Sequence, residues 1–271
     1  MKITNLICAG FAGAALSSFG DPVFFEHFDL YPDGNLAGTT QNEIGQGPWA
    51  QTGTTATTPI QVASGLAQLG TSGQDVYAAF GAPVDNPDGT SLFVGLSIDV
   101  ISAQAAGDYF FHLSNPAGTT TSFYDRLFAR SSGIGFQFGF LDTSGTGSTI
   151  TWGTTELSLS TDYRVVLAQN FVAGTANDTF SLYVDPTDLT IEANNTPYLT
   201  HTWTSTTVAE TATYAAANFR QGSAANAPEV FVDNLVISKS FAEASPVPEP
   251  HIVTLLGGFA LLAWTFVRRR K

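Results

Sequence analysis

Cysteine is almost absent from this 271-residue chain. The single cysteine, Cys8, lies in an apolar N-terminal segment that is typical of an export signal, so an exported mature chain would contain none. This excludes a disulfide framework and a zinc site built from cysteines. Stability must therefore come from packing of apolar side chains, with a bound ion as a possible second contribution.

Basic residues are also few, with 10 Lys and Arg against 23 Asp and Glu. Five of the ten lie at the termini, at Lys2 and in Arg268, Arg269, Arg270 and Lys271, whereas every acidic residue lies between Asp21 and Glu249. Without its termini the chain has five basic and 23 acidic residues, a net charge of −18. Nucleic acid and anionic lipid are poor partners for such a surface, which leaves divalent cations and neutral glycans.

Sequence motifs of catalysis are lacking as well. The four histidines, His27, His112, His201 and His251, are far apart and form no His-x-x-x-His or His-Glu pair of a zinc site. No nucleophile elbow, phosphate loop or dinucleotide fingerprint is present. Residues that are distant in sequence can form an active site in the folded protein, so the absence of motifs does not exclude an enzyme.

Long apolar runs occur only at the two ends of the chain. At the N-terminus, Lys2 precedes the apolar segment Leu6 to Leu16, and Ser18 to Gly20 provides the small residues that precede a signal-peptide cleavage site. This pattern predicts a signal peptide over residues 1–20, cleaved before Asp21, with Ser17 as the alternative end. The chain is therefore expected to be exported.

The C-terminal run, Ile252 to Val267, contains no charge and would extend roughly 24 Å as a helix, slightly less than a hydrocarbon core of roughly 30 Å. The basic residues Arg268, Arg269, Arg270 and Lys271 follow it and favour a cytoplasmic end. We predict one transmembrane helix with a basic tail over residues 251–271. The alternative is a buried C-terminal helix of a globular domain.

A linker over residues 242–250 ends in Val247, Pro248, Glu249 and Pro250, directly before the apolar run and the basic cluster. These three features in this order resemble the PEP-CTERM sorting signal of Gram-negative bacteria. The resemblance implies an exosortase partner that recognises Val247 to Pro250, transient anchoring in the inner membrane, and a final place at the cell surface or in the extracellular matrix. The alternative is that residues 242–250 are only a linker, because prolines also keep an ordinary linker extended.

The body, residues 21–241, has short apolar runs at alternating positions, as in Leu92, Val94, Leu96, Ile98 and Val100. Similar runs lie at 23–28, 76–80, 108–113, 126–130, 134–141, 163–171, 179–184 and 229–238, separated by Gly, Pro and Asp turns. No helix of ordinary length is evident between the termini. The pattern predicts an all-β domain, an antiparallel two-sheet jelly-roll sandwich.

A second resemblance rests on Phe28-Asp29-x-Tyr31, Tyr124-Asp125-Arg126-Leu127, Leu182-Tyr183-Val184-Asp185-Pro186 and Val232-Asp233-Asn234-Leu235. These segments are similar to those of concanavalin A-like, laminin G-like sandwiches. The resemblance implies that the first and last strands pair, which brings Phe28-Asp29 beside Val232-Asp233. Glycan hydrolases of this architecture carry a Glu-x-Asp-x-x-Glu strand, which is absent here, so the resemblance implies a non-catalytic member.

Calcium is the one cofactor that the sequence suggests. If the first and last strands pair, Glu26, Asp29 and Asp233 could converge on one structural Ca²⁺, which prefers carboxylate and carbonyl oxygens. The alternative is that these aspartates only form turns by accepting hydrogen bonds from nearby backbone amides.

Three functions remain open at this point: a structural or adhesive protein of the cell surface or exopolysaccharide layer, a carbohydrate-binding module with a defined glycan ligand, and a glycan-degrading enzyme. Exposed aromatic rings would favour the second. Six aromatic residues are candidates for stacking on a sugar, with packing inside the sandwich as the alternative: Trp49, Trp152, Trp203, Tyr109, Tyr124 and Tyr198.

Overall fold

The computed structural model describes residues 22–39, 46–53, 58–143 and 145–245. The predicted signal peptide, the Val247 to Pro250 element and the apolar segment with its basic tail lie outside these residues. Within them, no helix is long and apolar enough to cross a membrane.

Sixteen β-strands make up the described fold. They are β1 (Phe24–Glu26), β2 (Gly34–Asn35), β3 (Gln46–Thr52), β4 (Gln61–Ala63), β5 (Leu66–Leu69), β6 (Asp75–Asp85), β7 (Ser91–Ser102), β8 (Asp108–Ser114), β9 (Phe123–Ser132), β10 (Gly135–Thr143), β11 (Thr151–Trp152), β12 (Asp162–Asn170), β13 (Thr179–Val184), β14 (Leu199–Thr202), β15 (Thr213–Phe219) and β16 (Glu229–Ser238). The two described helices are short: a 3-10 turn at Glu192–Asn194 and α1 at Phe241–Ala244.

The strands form two sheets with antiparallel pairing throughout. A nine-stranded sheet has the order β14-β13-β12-β7-β16-β5-β4-β2, and β1 also pairs with β16. A seven-stranded sheet has the order β11-β10-β9-β8-β15-β6-β3. The predicted all-β, antiparallel two-sheet sandwich is confirmed.

Strand alternation explains where the core lies. On β7, Leu92, Leu96 and Val100 are buried between the sheets, whereas Ser97 and Asp99 point to the outside. Phenylalanines do the same on β10 of the opposite sheet, where every second residue joins the core. Because strand side chains alternate between faces, each sheet buries one face in the sandwich and presents the other outward.

The first and last strands pair as the resemblance implies. Phe24 of β1 lies opposite Ile237 of β16, and Glu26 lies opposite Leu235. After β16 the chain continues into α1, whose Phe241 packs on Phe93 from the outside of the nine-stranded sheet. The packed chain therefore extends to Ala244, beyond the predicted end of the body at residue 241.

Candidate functional site

The few basic side chains of the body are not spread evenly over its surface. Between Asp21 and Glu249 the sequence has five: Arg126, Arg130, Arg164, Arg220 and Lys239. Three of them, Arg126, Arg130 and Arg220, lie on the outer face of the seven-stranded sheet. In a strongly acidic chain, this concentration of positive charge marks the face as a candidate site.

Alternation on β9 places two of these arginines. Leu127 and Ala129 belong to the core, so Arg126, Phe128 and Arg130 point away from it. We name the outward group formed by Tyr109, Arg126, Phe128, Arg130, Trp152 and Arg220 the arginine–aromatic face. Tyr109, Phe128 and Leu141 form a small apolar cluster on it, separate from the main core, with Trp152 packed against them.

Cation–π contacts join the members of the arginine–aromatic face. The Arg126 guanidinium lies 5.2 Å from the centre of the Tyr109 ring and 6.0 Å from that of Phe128. Arg130 lies 4.3 Å from the Trp152 ring, and Arg220 lies 4.3 Å from the Tyr109 ring. Such contacts hold each cation in a fixed orientation over an aromatic surface.

A glycine creates the position of Trp152. Gly139 on β10 pairs with Trp152 on β11, and a Cβ atom on Gly139 would lie 2.5 Å from Cε3 of the indole ring. The ring therefore lies directly on the backbone of β10. It is half-buried, and the Arg130 guanidinium lies over it.

Arg126 lacks a counter-ion. Only 7% of its surface is exposed, and its Nε and Nη2 atoms have no hydrogen-bond partner within the described part of the chain. No ion pair within 4.0 Å joins it to a described carboxylate either. Burial lowers the pKa of this guanidinium, although Tyr109, which also hydrogen-bonds it, and the charge of Asp142 act in the opposite direction.

Arg220 provides the contrast. Its Nη1 atom lies 2.7 Å from Oδ2 of Asp108, and its Nε atom lies 3.9 Å from Oδ2 of Asp75. Although burial acts in the opposite direction, the contact with Asp108 keeps the pKa of Arg220 above its usual value. Direct ion pairs therefore compensate the charge of Arg220, whereas no described carboxylate forms an ion pair with Arg126.

Two further buried polar residues, His112 and Asn218, lie opposite each other on β8 and β15 of the same sheet. Burial, with the charges of Arg126 and Arg220, lowers the pKa of His112 to about 3, so the ring is neutral at physiological pH. Neither of its ring nitrogens has a hydrogen-bond partner among the described residues. Asn218 donates from Nδ2 to Ser114 Oγ at 2.9 Å, while its Oδ1 atom lacks a described partner.

The structure separates the three residues predicted to bind calcium. Glu26 is fully buried and accepts hydrogen bonds from Phe28 N (2.9 Å), Tyr31 Oη (2.5 Å) and Trp49 Nε1 (3.0 Å). Its carboxylate therefore satisfies interior donors around the turn after β1. This use of Glu26 follows from its inward position on β1, opposite Leu235 of the core.

Asp29 and Asp233 do meet, in a cleft of about 460 Å³ on the outside of the nine-stranded sheet, which Asp99 and Asp162 also line. Burial, and then the charge of Asp29, raise the pKa of Asp233 to about 7. Across the described residues, no group of three or more His, Cys, Asp or Glu side chains is arranged to hold a metal ion. Calcium at Asp29 and Asp233 stays a prediction.

The six aromatic candidates divide between the core and the outer face. Trp49 and Trp203 belong to the core, and Tyr124 and Tyr198 pack against it. Trp152 and Tyr109 lie on the arginine–aromatic face. The arginines of this face were not predicted as site residues, although the spacing of Arg126 and Arg130 places both on one face of a strand.

No protein-family model matches the sequence, and no curated protein matches it either. Among solved structures, the chain is similar to the CBM2 module of the evolved Dit protein of Lactobacillus casei BL23 phage J-1, with 12% identity, 80% of this chain and 94% of that chain covered, and a TM-score of 0.46. It is also similar to an endo-1,3-beta-glucanase from Streptomyces sioyaensis (15% identity, 80% and 95% covered, TM-score 0.47) and to the carbohydrate-binding module CBM66 from Bacillus subtilis (11%, 70% and 94%, TM-score 0.37). At these values the matches carry no conclusion about a ligand.

Proposed function

We propose that this protein is an exported, non-catalytic β-sandwich of the cell surface or exopolysaccharide matrix, and that it binds polysaccharide through the arginine–aromatic face. The observation that carries the proposal is the half-buried Trp152 ring, fixed between the backbone of Gly139 and the Arg130 guanidinium. A structural or adhesive protein without a defined glycan is the competing function.

The face has the two kinds of group that sugar binding requires. Aromatic side chains pack against the C–H groups of a sugar, and polar side chains beside them bind its hydroxyl groups. Trp152 is half-buried with Arg130 over its ring, and Gln137 lies next to Arg130 on the paired strand, where Arg130 Nη2 donates to Gln137 Oε1 at 3.0 Å. The rigid sheet underneath holds these groups in place, which lowers the entropic cost of binding.

The proposal that the protein is sorted to the cell surface is supported by the PEP-CTERM resemblance alone. On that basis an exosortase recognises Val247, Pro248, Glu249 and Pro250, and the apolar segment with its basic tail anchors the chain in the inner membrane before processing. The strongly acidic body supports the further expectation that nucleic acid is not a partner.

Structural calcium at Asp29 and Asp233 is proposed in addition. The aspartates lie in one cleft, and a divalent cation there would relieve the repulsion that helps to raise the pKa of Asp233. Because a carboxylate must lose its proton to bind a metal, calcium should bind better above pH 7 than below it.

The deciding experiment measures binding of the full-length protein, purified in mild detergent, to a panel of bacterial and algal polysaccharides. Each measurement is made with and without a calcium chelator, alongside the melting temperature. We expect saturable binding that Trp152→Ala weakens. Phe25→Ala, a half-buried aromatic on the outside of the opposite sheet, is the matched control and should leave binding unchanged.

Absence of saturable binding to every polysaccharide would overturn the glycan proposal and favour the structural or adhesive function. A lower melting temperature in chelator would support calcium, whereas an unchanged one would count against it. Release of shortened glycan products would contradict the non-catalytic assignment and favour an enzyme.

A further inference from the structure

We propose that the polysaccharide bound by the arginine–aromatic face is acidic, and that a sugar carboxylate supplies the counter-ion that Arg126 lacks. This inference rests on the proposed function and names the chemical class of its ligand, a uronate-containing glycan.

The first step of the argument is the cost of a buried, unpaired charge. An arginine stays ionised in proteins, so burial cannot be relieved by loss of its proton. Leaving such a charge without a partner costs several kcal/mol, and buried charges are therefore normally paired. Arg126 is nine-tenths buried in a chain with 23 acidic residues, yet none of the described ones pairs with it.

The second step concerns the two donors that have no partner. Nε and Nη2 lie on the same edge of the guanidinium plane, and both are unpartnered among the described residues. Both atoms are covered by neighbouring protein atoms in the structure. Once a ligand displaces this cover, the edge offers two parallel N–H groups, which match the two oxygens of a single carboxylate in bidentate geometry. The Tyr109 and Phe128 rings contact the guanidinium as well, so its orientation is fixed before a ligand arrives.

The third step is the charge around Arg126. Arg130 adds a second cation on the same strand, and the nearby Arg220 neutralises Asp108. His112 is neutral and adds no competing acceptor charge. The body as a whole is strongly acidic, but charges farther away than about 8 Å are largely screened at physiological ionic strength. Asp142 favours the ionised form of Arg126, but it lies beyond ion-pair distance of the guanidinium. Arg126 and Arg130 together therefore attract a ligand carboxylate in spite of the acidic residues elsewhere on the surface.

The experiment compares polygalacturonate with the same polymer after full methyl esterification, which removes the charge and keeps the sugar backbone. Sulfated dextran is the third probe. The full-length protein should bind the acid polymer at least about tenfold more tightly than the ester, which is the worth of one charge-assisted hydrogen bond. Sulfated dextran should bind no better than the ester.

Variants test the assignment to Arg126. Arg126→Gln removes the charge, and Arg126→Lys keeps the charge but loses the paired donors; both should weaken binding of polygalacturonate by about tenfold or more. Arg164→Gln is the matched control. It removes the same charge from a half-buried position on the outside of the opposite sheet and should leave binding unchanged.

Stability of the ligand-free protein separates a binding role from a structural one. If Arg126 awaits a ligand, Arg126→Gln removes an uncompensated charge, and its melting temperature should equal or exceed that of the unchanged protein. A much lower melting temperature, with binding unaltered, would assign Arg126 to packing of the sheet and overturn the inference. Should Arg126→Gln fail to fold, Arg126→Lys and the stabilisation of the unchanged protein by galacturonate, compared with galactose, decide the question.

The outcomes distinguish the two proposals. Equal binding of the acid polymer and its ester would overturn the inference while the glycan-binding function stands. Binding of sulfated dextran alone would overturn the assignment to a carboxylate. Absence of binding to the acid polymer, together with binding to a neutral glycan, would also overturn it, and absence of binding to any polymer would overturn both proposals.

Discussion

Single residues show how this fold handles polar groups that it cannot expose. Asp125 is fully buried at the start of the face-forming strand β9, has a φ angle of 53°, and its Oδ1 atom has no described hydrogen-bond partner. Burial raises the pKa of Asp125 well above its usual value. At neutral pH the fold must either hold this side chain protonated or bury a charge, and both destabilise it.

Asp125→Asn should therefore stabilise the protein at pH 8. Asparagine keeps the shape, cannot ionise and tolerates a positive φ angle better than most residues. Because even one pKa unit corresponds to about 1.4 kcal/mol, we expect the melting temperature to rise by about 2–4 °C or more. At pH 4, where the aspartate itself is protonated in the folded protein, the gain should disappear. Thermal unfolding at the two pH values measures both effects.

Asp188→Asn is the control with the opposite sign. Asp188 is exposed, and hydrogen bonds from Thr190, then from Asn194, hold its pKa below its usual value. A carboxylate of this kind stabilises the folded state above its unfolded pKa, so this substitution should lower the melting temperature at pH 8. A stabilising Asp188→Asn, or a gain in Asp125→Asn that persists at pH 4, would contradict the ionisation argument.

At the scale of strands, the close approach of β10 and β11 creates the sugar-binding surface that we propose. Trp152 can lie flat on β10 because Gly139 has no side chain, and Gly107 on the neighbouring loop leaves room for the far end of the indole. The same alternation that sends Phe138 and Phe140 into the core leaves the outward position between them to glycine.

Gly139→Ala should displace the Trp152 ring. The new Cβ atom would lie 2.5–2.9 Å from three atoms of the indole, which is closer than packed carbon atoms allow, so the ring must move. We expect weaker polysaccharide binding, similar to that of Trp152→Ala, measured by titration of the purified protein.

A double-mutant cycle shows whether the glycine acts through the ring. In a Trp152→Ala background, Gly139→Ala should cause no further loss of binding, because the group that it displaces is already gone. An additional loss of the same size as in the unchanged protein would mean that Gly139 contributes independently of Trp152.

At the scale of the whole molecule, the excess of acidic groups links stability to pH. Burial raises the pKa of Asp178 to about 6 and that of Asp233 to about 7, and it also raises those of Asp75 and Asp99. A carboxyl with a raised pKa stabilises the fold fully below its unfolded pKa and loses that contribution as the pH rises through its folded pKa.

The melting temperature should therefore fall between about pH 4, near the unfolded pKa of an aspartate, and about pH 7, the folded pKa of Asp233. Below about pH 4 an opposing effect begins. Although burial opposes it, hydrogen bonds from His201, then Thr204 and Thr143, lower the pKa of Asp142, and its contribution is lost as the pH falls through that value. The expected profile has a maximum near about pH 4. A melting temperature that rises steadily from pH 5 to pH 8 would contradict it.

Location in the cell tests the predicted sorting signal. Simultaneous replacement of Pro248, Glu249 and Pro250 by alanine should leave the protein in the inner-membrane fraction, because the proposed exosortase can no longer recognise it. Pro246→Ala lies just outside the element and is the control. The measurement is the amount of protein in the inner-membrane fraction of a host that contains an exosortase. Unchanged release of the triple variant from that fraction would contradict the assignment.

The sequence by itself determined the fold class and the predicted strands. Alternation of apolar and polar residues fixes which face of a strand is buried, and it located the nine long runs, including β7 and β16, because that signal is local. It did not reveal β15, whose Thr213 to Phe219 segment is rich in alanine and carries little strand preference. Short strands such as β2 and β11 have too few residues to show a period.

Tertiary structure alone decided which polar residues meet. The charge excess and the shortage of arginine were visible in the sequence, but the gathering of Arg126, Arg130 and Arg220 on one face requires β9 and β15 to flank β8 in one sheet. Likewise, Glu26 and Asp29 are only three residues apart, yet one points into the core and the other into a cleft. Local periodicity determines faces, whereas strand order and turn geometry, which arise from contacts between distant segments, determine sites.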